Sequence, residues 1–213
     1  MSIFSRKKHK QTATVTTTET AAAPAGAGAV ATLAVEDTLS GDYTIDPAHS
    51  RLGFSARHAM VTTVRGEFGD LEGTAHIDAA TPARSWVKLS LKTASVSTGQ
   101  ADRDGHLVSA DFFDVENHPE ITFVSTEVAR DGDTWTITGD LTIKAVSHPV
   151  TIDFEHGGVA TDPFGNLRAG FEGSTSVSRK DWGLTWNAAL ETGGVLVSDK
   201  VKLDFDVSAI RNA

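Results

Sequence analysis

From residue 50 onward, apolar and polar residues alternate with a period of two, the spacing of strands that bury one face. Trp135, Ile137, Leu141 and Ile143 share one parity, and Thr134, Thr136, Thr138, Asp140, Thr142 and Lys144 the other. Val201, Leu203, Phe205 and Val207 alternate with Lys202, Asp204 and Asp206. The same pattern runs through Leu52, Phe54 and Ala56, through Val87, Leu89 and Leu91, and through Val150, Ile152 and Phe154. Near Gly69 the phase slips: Val64, Gly66 and Phe68 keep one parity, whereas Leu71, Gly73, Ala75 and Ile77 keep the other. A one-residue slip inside a long strand reads as a β-bulge that bends it. The pattern predicts strands over 50–58, 63–77, 85–97, 120–130, 133–144, 149–160, 166–178 and 199–209. Turn signals such as Asp131-Gly132, His148-Pro149 and Asp162-Pro163 separate several of them. Asp102 to Phe113 differs; acids in its first turn, with Leu107, Val108, Phe112 and Phe113 behind, suit a short helix.

Eight long strands with clean alternation point to an all-β fold, an eight-stranded antiparallel barrel with one short helix. At eight strands the interior is either filled by side chains or holds one small ligand. The inward parity collects Phe54, Phe68, Leu89, Phe123, Leu141, Phe154, Phe171 and Phe205 around one interior. Small inward residues, Gly66, Gly73, Ala75, Gly139 and Ala169, favour a cavity, although glycines also ease barrel curvature.

Before residue 42 no apolar period survives, and Thr, Ala, Gly and Pro dominate. Residues 1–41 therefore read as an irregular tail and 42–213 as a single barrel domain. Deleting residues 1–40 is expected to leave the melting temperature nearly unchanged. The tail opens with Arg6, Lys7, Lys8 and Lys10 and carries no acid in its first ten residues. The formal net charge is −9, so the remainder carries −13, that is −9 less those four positive charges. So acidic a domain repels phosphate backbones, which argues against nucleic acid as a partner. The basic start could touch an anionic membrane; the plainer reading is a solvated tail. Glu19 precedes the Ala-rich stretch Ala21 to Val35, and Pro24, Gly26 and Gly28 interrupt it, so a cytoplasmic location is expected. Export is the alternative if that stretch acts as a signal.

Candidate chemistry is sparse. There is no cysteine, no Gly-x-Ser-x-Gly and no His-Glu-x-x-His. His49 and His58 could act as a general base or meet a polar head group, and either could equally bond to a neighbouring backbone. Asp102, Asp104, His106, Asp111, Asp114, Glu116 and His118 form an acidic stretch that is a poor fragment of a calcium loop and reads as a solvated helix and turn. No metal or cofactor is expected. The segment from Asp181 to Ser198 is long for a hairpin and holds Trp182, Leu184 and Trp186, so it is either a lid that touches ligand or an apolar plug.

Ordered blocks across about four-fifths of the chain resemble the YceI family of lipocalin-like, polyisoprenoid-binding proteins. They are Tyr43 to Ser50 with Phe54 and His58, Gly66 to Phe68, Asp111 to Asp114 with His118 to Phe123, and Gly139 to Ile143 with Pro149-Val150. Arg179 to Leu184 and Val197 to Val201 complete them. The resemblance implies a lipocalin-like barrel, no enzyme activity, and a long isoprenoid lipid or isoprenoid quinone threaded along its pore. The expected ligand-contacting residues are the eight inward ones named above with His58, Phe112, Phe113, Trp182 and Trp186. Trp182 stands where the family more often has Phe, and the basic tail replaces the secretory signal of many members. An enzyme using His49 or His58 and a filled barrel acting as an interaction module are the competing readings. A homodimer is left open.

Overall fold

A computed structural model describes residues 38–191 and 193–213. The strands are β1 (Gly41–Ile45), β2 (Arg51–His58), β3 (Thr62–Phe68), β4 (Leu71–Ile77), β5 (Trp86–Lys92), β6 (Val96–Ser97), β7 (Glu120–Asp131), β8 (Thr134–Ile143), β9 (Val146–Thr161), β10 (Leu167–Ser178) and β11 (Val197–Arg211). One helix, α1 (Ala101–Val108), follows β6. All ladders are antiparallel.

Eleven segments make eight walls, because β1–β2, β3–β4 and β5–β6 each act as one bent strand. β11 pairs with β2 through Leu203 and Phe54, then with β1 through Ala209 and Ile45. β3 and β4 take up the other edges of β2 and β1, and β4 passes the sheet on through β5 to β7, β8, β9 and β10. β10 returns to β11, so the barrel closes.

The phase slip at Gly69 is a break between β3 and β4 rather than a bulge within one strand. The Gly69 and Asp70 N–H groups turn to the backbone oxygen and Oγ of Ser95, at 3.2 and 3.0 Å. Ser95 lies in the 3-10 turn (Thr93–Ser95) that interrupts the neighbouring wall, so both walls bend at one level. Thr93 is buried there and donates to the His118 carbonyl at 2.8 Å. Bulges do occur, between Ser125 and Glu127 and between Gly170 and Phe171.

The helix is shorter than the expected 102–113. The Gln100 side chain caps its start by accepting from Arg103 N, and Ser109 ends it. Phe112 and Phe113 follow in a turn, and Phe113 N is held by the Leu107 carbonyl at 3.0 Å. At the chain's start, the expected tail boundary at residue 41 lies inside the fold. Leu39 is fully buried, its carbonyl accepts from the Tyr43 hydroxyl at 2.7 Å, and Ser40 Oγ accepts from Ala79 N. A deletion through residue 40 would remove these contacts, so a neutral truncation must stop before Thr38. The rest of the expected tail lies outside the described residues.

The inward glycines do not widen the interior. A Cβ on Gly139 would lie 2.5 Å from Phe123 Cζ and 2.6 Å from the Val124 carbonyl oxygen; on Gly73 it would strike Ile45 Cδ1 at 2.5 Å. Each glycine is a seat for the neighbouring side chain. Gly139→Leu should therefore overpack the wall and cost about 1–3 kcal/mol in chemical denaturation. A variant as stable as the parent would contradict this seating.

Outside the barrel, Arg168 ties the bend between β1 and β2 to the β9–β10 hairpin. Its Nη1 meets Asp46 at 2.5 Å and its Nε meets Asp162 at 2.8 Å. Asp162 also accepts from Asn166 Nδ2 at 3.0 Å and from two backbone N–H groups. The Asn166 amide and then Arg168 hold the Asp162 carboxyl far below the usual carboxylate range, and Arg168 chiefly lowers that of Asp46. Depressed carboxyl pKa values contribute stability that is present above the unfolded value and lost as pH falls through the folded one. Melting temperature should thus fall below pH about 4, the ordinary carboxyl value, and fall less steeply in Asp162→Asn. Parallel curves for the two proteins between pH 2 and 5, about the range of carboxyl titration, would refute the assignment.

Candidate functional site

Alternation decides what the interior sees. Phe54 on β2, Leu89 on β5, Phe123 on β7, Leu141 on β8, Phe154 on β9 and Phe205 on β11 all face one cavity. Phe68 and Phe171 line it as well, as do Phe112, Phe113 and Trp182 from outside the ladders. Eleven of the thirteen residues expected to touch ligand therefore surround one space. The rings meet edge-on or tilted and do not fill it: Phe54 and Phe68 are 5.8 Å apart, Phe68 and Phe113 5.7 Å, and Phe154 and Phe205 5.7 Å.

The cavity measures about 270 Å³. A water needs only about 10–15 Å³ of such space, and an apolar void of about 150 Å³ already stays dry and takes up benzene. The interior is therefore not packed solid. Its wall is almost entirely carbon, so water inside would find few hydrogen-bond partners.

The two ends are built differently. At one end, the 3-10 turn (Arg179–Trp182) lays Trp182 and Leu184 across the opening, both buried. Trp182 Nε1 donates to the Leu141 carbonyl at 2.9 Å, and His148 packs edge-on against the indole at 5.3 Å. Arg179 is buried beside them and lines the cavity. It donates through Nε to Ser198 O at 3.0 Å and through Nη1 to Leu184 O at 2.5 Å and Trp186 O at 2.8 Å. Burial lowers its pKa, and Asp199, at 3.4 Å, opposes that shift. The long segment before β11 is closed on itself by the Ala189–Val195 bridge and by Asn187, whose side chain bonds the backbone of Val197. Its first residues act as a plug.

At the other end, Tyr43, Ile77, Ala79, Val128, Trp135, Ala169 and Ala209 form a second buried cluster. Here the β5–β7 ladder stops at Lys88 and Val124, while β7 continues to Asp131. Trp86, Ser85 and His76 line the cavity at this gap. Trp86 is 39% exposed, and every other described lining residue is buried or half-buried. The cavity thus reaches the surface beside Trp86.

Two expected contacts lie elsewhere. Trp186 turns away from the cavity and packs on His106 and Phe112, with centroids 4.5 and 5.4 Å apart. His58 is exposed at the end of β2, paired with Thr62 and Val197. His49 is also exposed, and its Nδ1 bonds Asp46 at 2.7 Å. Neither candidate base lines the cavity. The acidic stretch is engaged locally: Asp104 bonds the Thr98 backbone, Asp111 meets His106 at 2.9 Å, and Asp114 bonds Asn117. Among the described residues no group of three or more His, Cys, Asp or Glu could hold a metal ion.

Trp86, Trp135 and Arg179 were missing from the expected site. Trp135 carries the inward parity of β8, so alternation could have placed it there. Trp86 has the outward parity of β5, and only the gap in the sheet brings it to the cavity. Nothing in the sequence marks that gap.

The profile of the YceI-like domain matches residues 43–209. A UPF0312 protein of Azotobacter vinelandii is 43% identical over 72% of this chain and 82% of its own length. One from Pseudomonas aeruginosa is 38% identical over 85% and 93%. Among solved structures, a Campylobacter jejuni YceI protein superposes with a TM-score of 0.63 at 30% identity, covering 74% of this chain and 90% of that one. The Burkholderia cenocepacia protein BcnA gives 0.68 at 23% identity over 77% and 98%. A polyisoprenoid binding domain from Saccharophagus degradans gives 0.60 at 17% identity over 80% and 98%. With a profile match that spans most of the chain and relatives this similar over most of their length, the chain belongs to the YceI-like domain family.

Proposed function

We propose that this protein binds one long-chain apolar lipid, an isoprenoid or isoprenoid quinone, inside the barrel and carries or stores it without chemical change. The observation that carries this reading is the cavity: about 270 Å³, walled by carbon, inside a closed barrel. The polyisoprenoid-binding neighbour of the same fold supports it. Each methylene moved from water to such a wall contributes about 0.8 kcal/mol. After association and ordering costs, a tail of several isoprene units is held at micromolar affinity or tighter. Most of the binding energy then resides in the tail. The absence of His49 and His58 from the cavity lining removes the two side chains on which the enzyme alternative rested. Retention in the cytoplasm, with the basic start intact, forms part of the same proposal, and N-terminal sequencing of native protein tests it.

Titrating delipidated protein with a long-chain polyprenol, followed by tryptophan fluorescence, tests the binding. Saturation at one lipid per chain is expected, with prenols of fewer isoprene units binding more weakly. Affinity independent of tail length would defeat the proposal.

A further inference from the structure

Alternation leaves the outer wall of the barrel polar, as on β8, where Thr134, Thr136, Thr138, Asp140 and Thr142 hold the outward parity. Seven large hydrophobic residues are exposed among the described residues. Met60, Val61 and Phe164 lie in turns, Val195 in the loop before β11, and Val146 closes the β8–β9 hairpin against Ile143. The other two, Trp86 and Val124, are 39% and 44% exposed and stand on the outer wall, on the neighbouring strands β5 and β7.

These two residues form one patch. Trp86 pairs with His76 and Lys88 with Val124, which sets Val124 diagonally across from Trp86. His76 stacks on the indole, with centroids 6.5 Å apart, and Lys88 Nζ lies 5.5 Å over the same ring. The patch coincides with the place where the β5–β7 ladder ends and the cavity reaches the surface. It also adjoins the start of the described chain. Asp42 pairs with His76 and bonds its Nδ1 at 2.8 Å, so Trp86 lies two strands, about 10 Å, from Asp42. The sequence before Thr38 carries Arg6, Lys7, Lys8 and Lys10, with no acid in the first ten residues. Asp140 opposes Val124 on β8 and the barrel is acidic as a whole, so attraction to an anionic surface has to come from those four cations.

We propose that the outer face of β5 and β7 around Trp86 and Val124 docks on a bilayer containing anionic phospholipid, held there by Arg6, Lys7, Lys8 and Lys10, and that the barrel takes up or delivers its lipid through the adjoining opening. This rests on the reading of the cavity as a lipid site and adds the surface that the site faces. Trp and Lys suit a membrane interface: the apolar body of the indole enters the head-group layer, and the Lys stem crosses it while the ammonium meets phosphate. One indole and one valine bury too little area to hold a bilayer alone, and each basic residue near the surface adds about 1 kcal/mol.

The test uses the full-length protein and vesicles of phosphatidylcholine, alone or mixed equally with phosphatidylglycerol, in a sedimentation assay. The parent should bind the anionic vesicles at least about tenfold more tightly than the neutral ones, and changing all four basic residues to glutamine should remove that preference. Val124→Glu should weaken binding to anionic vesicles about tenfold. Met60→Glu, the same charge change in the β2–β3 turn at the other end of the barrel, should alter it by less than about twofold. Vesicles with brominated acyl chains should quench the parent's tryptophan fluorescence, and Trp86→Phe should lose most of that quenching, because Trp135 and Trp182 are buried. Neither Val124 nor Met60 lines the cavity, so geranylgeraniol titrated in vesicle-free solution should bind the parent and both glutamate variants equally. Should Val124→Glu lose prenol affinity as well, the quenching comparison decides alone. Equal binding to the two vesicle types, equal losses in the two glutamate variants, or quenching that survives Trp86→Phe would each overturn the docking face while leaving the lipid cavity in place. A parent that binds no geranylgeraniol would overturn the cavity reading itself.

Discussion

Replacing Arg179 with alanine is expected to destabilise the protein by about 3–5 kcal/mol, because several buried carbonyls lose their donor at about 1–3 kcal/mol each. The side chain is 6% exposed and donates to the carbonyls of Ser198, Leu184 and Trp186. Alanine would leave these acceptors short of partners at a closed barrel end, where each unmet group costs about 1–3 kcal/mol unless water enters. For a domain of this size each kcal/mol lowers the melting temperature by about 2–4 °C, so a fall of roughly 10 °C is expected by calorimetry. Arg179→Lys should recover less than half of it, because one ammonium cannot reproduce the planar fork. A fall of only about 2 °C in Arg179→Ala, no more than 1 kcal/mol on that scale, would show that the carbonyls find other partners.

Leu141→Asp should abolish lipid retention, with affinity down at least about 100-fold, or 2.8 kcal/mol. The Leu141 side chain is buried in the cavity wall, and its backbone carbonyl already holds Trp182. A carboxylate there would face hydrocarbon without a partner, a burial that costs at least that much. The change also costs stability, so retention must be compared on protein shown to be folded. Ala56→Leu and Ala75→Leu provide the uncharged counterparts, because both alanines line the cavity, on β2 and β4 respectively. Each should reduce retention by occupying space. Unchanged lipid content in Leu141→Asp and in both alanine variants would mean that the lipid lies elsewhere.

Much of this was legible because one face of each strand is buried, which forces period-two alternation. That rule alone places Phe54, Leu89, Phe123, Leu141, Phe154 and Phe205 on a single interior. It missed β1, whose five residues offer only Tyr43 and Ile45 as inward positions, too few to establish a period. It misjudged Gly66, Gly73 and Gly139, because a small residue can leave a hole or seat a neighbour. The choice depends on side chains such as Ile45 and Phe123, from distant parts of the chain. The long segment after Arg179 announced itself by length and apolar content. That Trp182 and Leu184 close the cavity while Trp186 packs on α1 depends on the Arg179 bonds, which composition does not encode. The opening beside Trp86 arises where the β5–β7 ladder ends early, a register property of two strands about thirty residues apart.

Whether the closed barrel holds one apolar chain is decided by native mass spectrometry of the purified full-length protein, followed by organic extraction and lipid analysis. One adduct per barrel is expected, whose mass, once released, is that of a long isoprenoid lipid. Protein that flies at its bare mass, yields no extractable lipid and takes up no added polyprenol would contradict it.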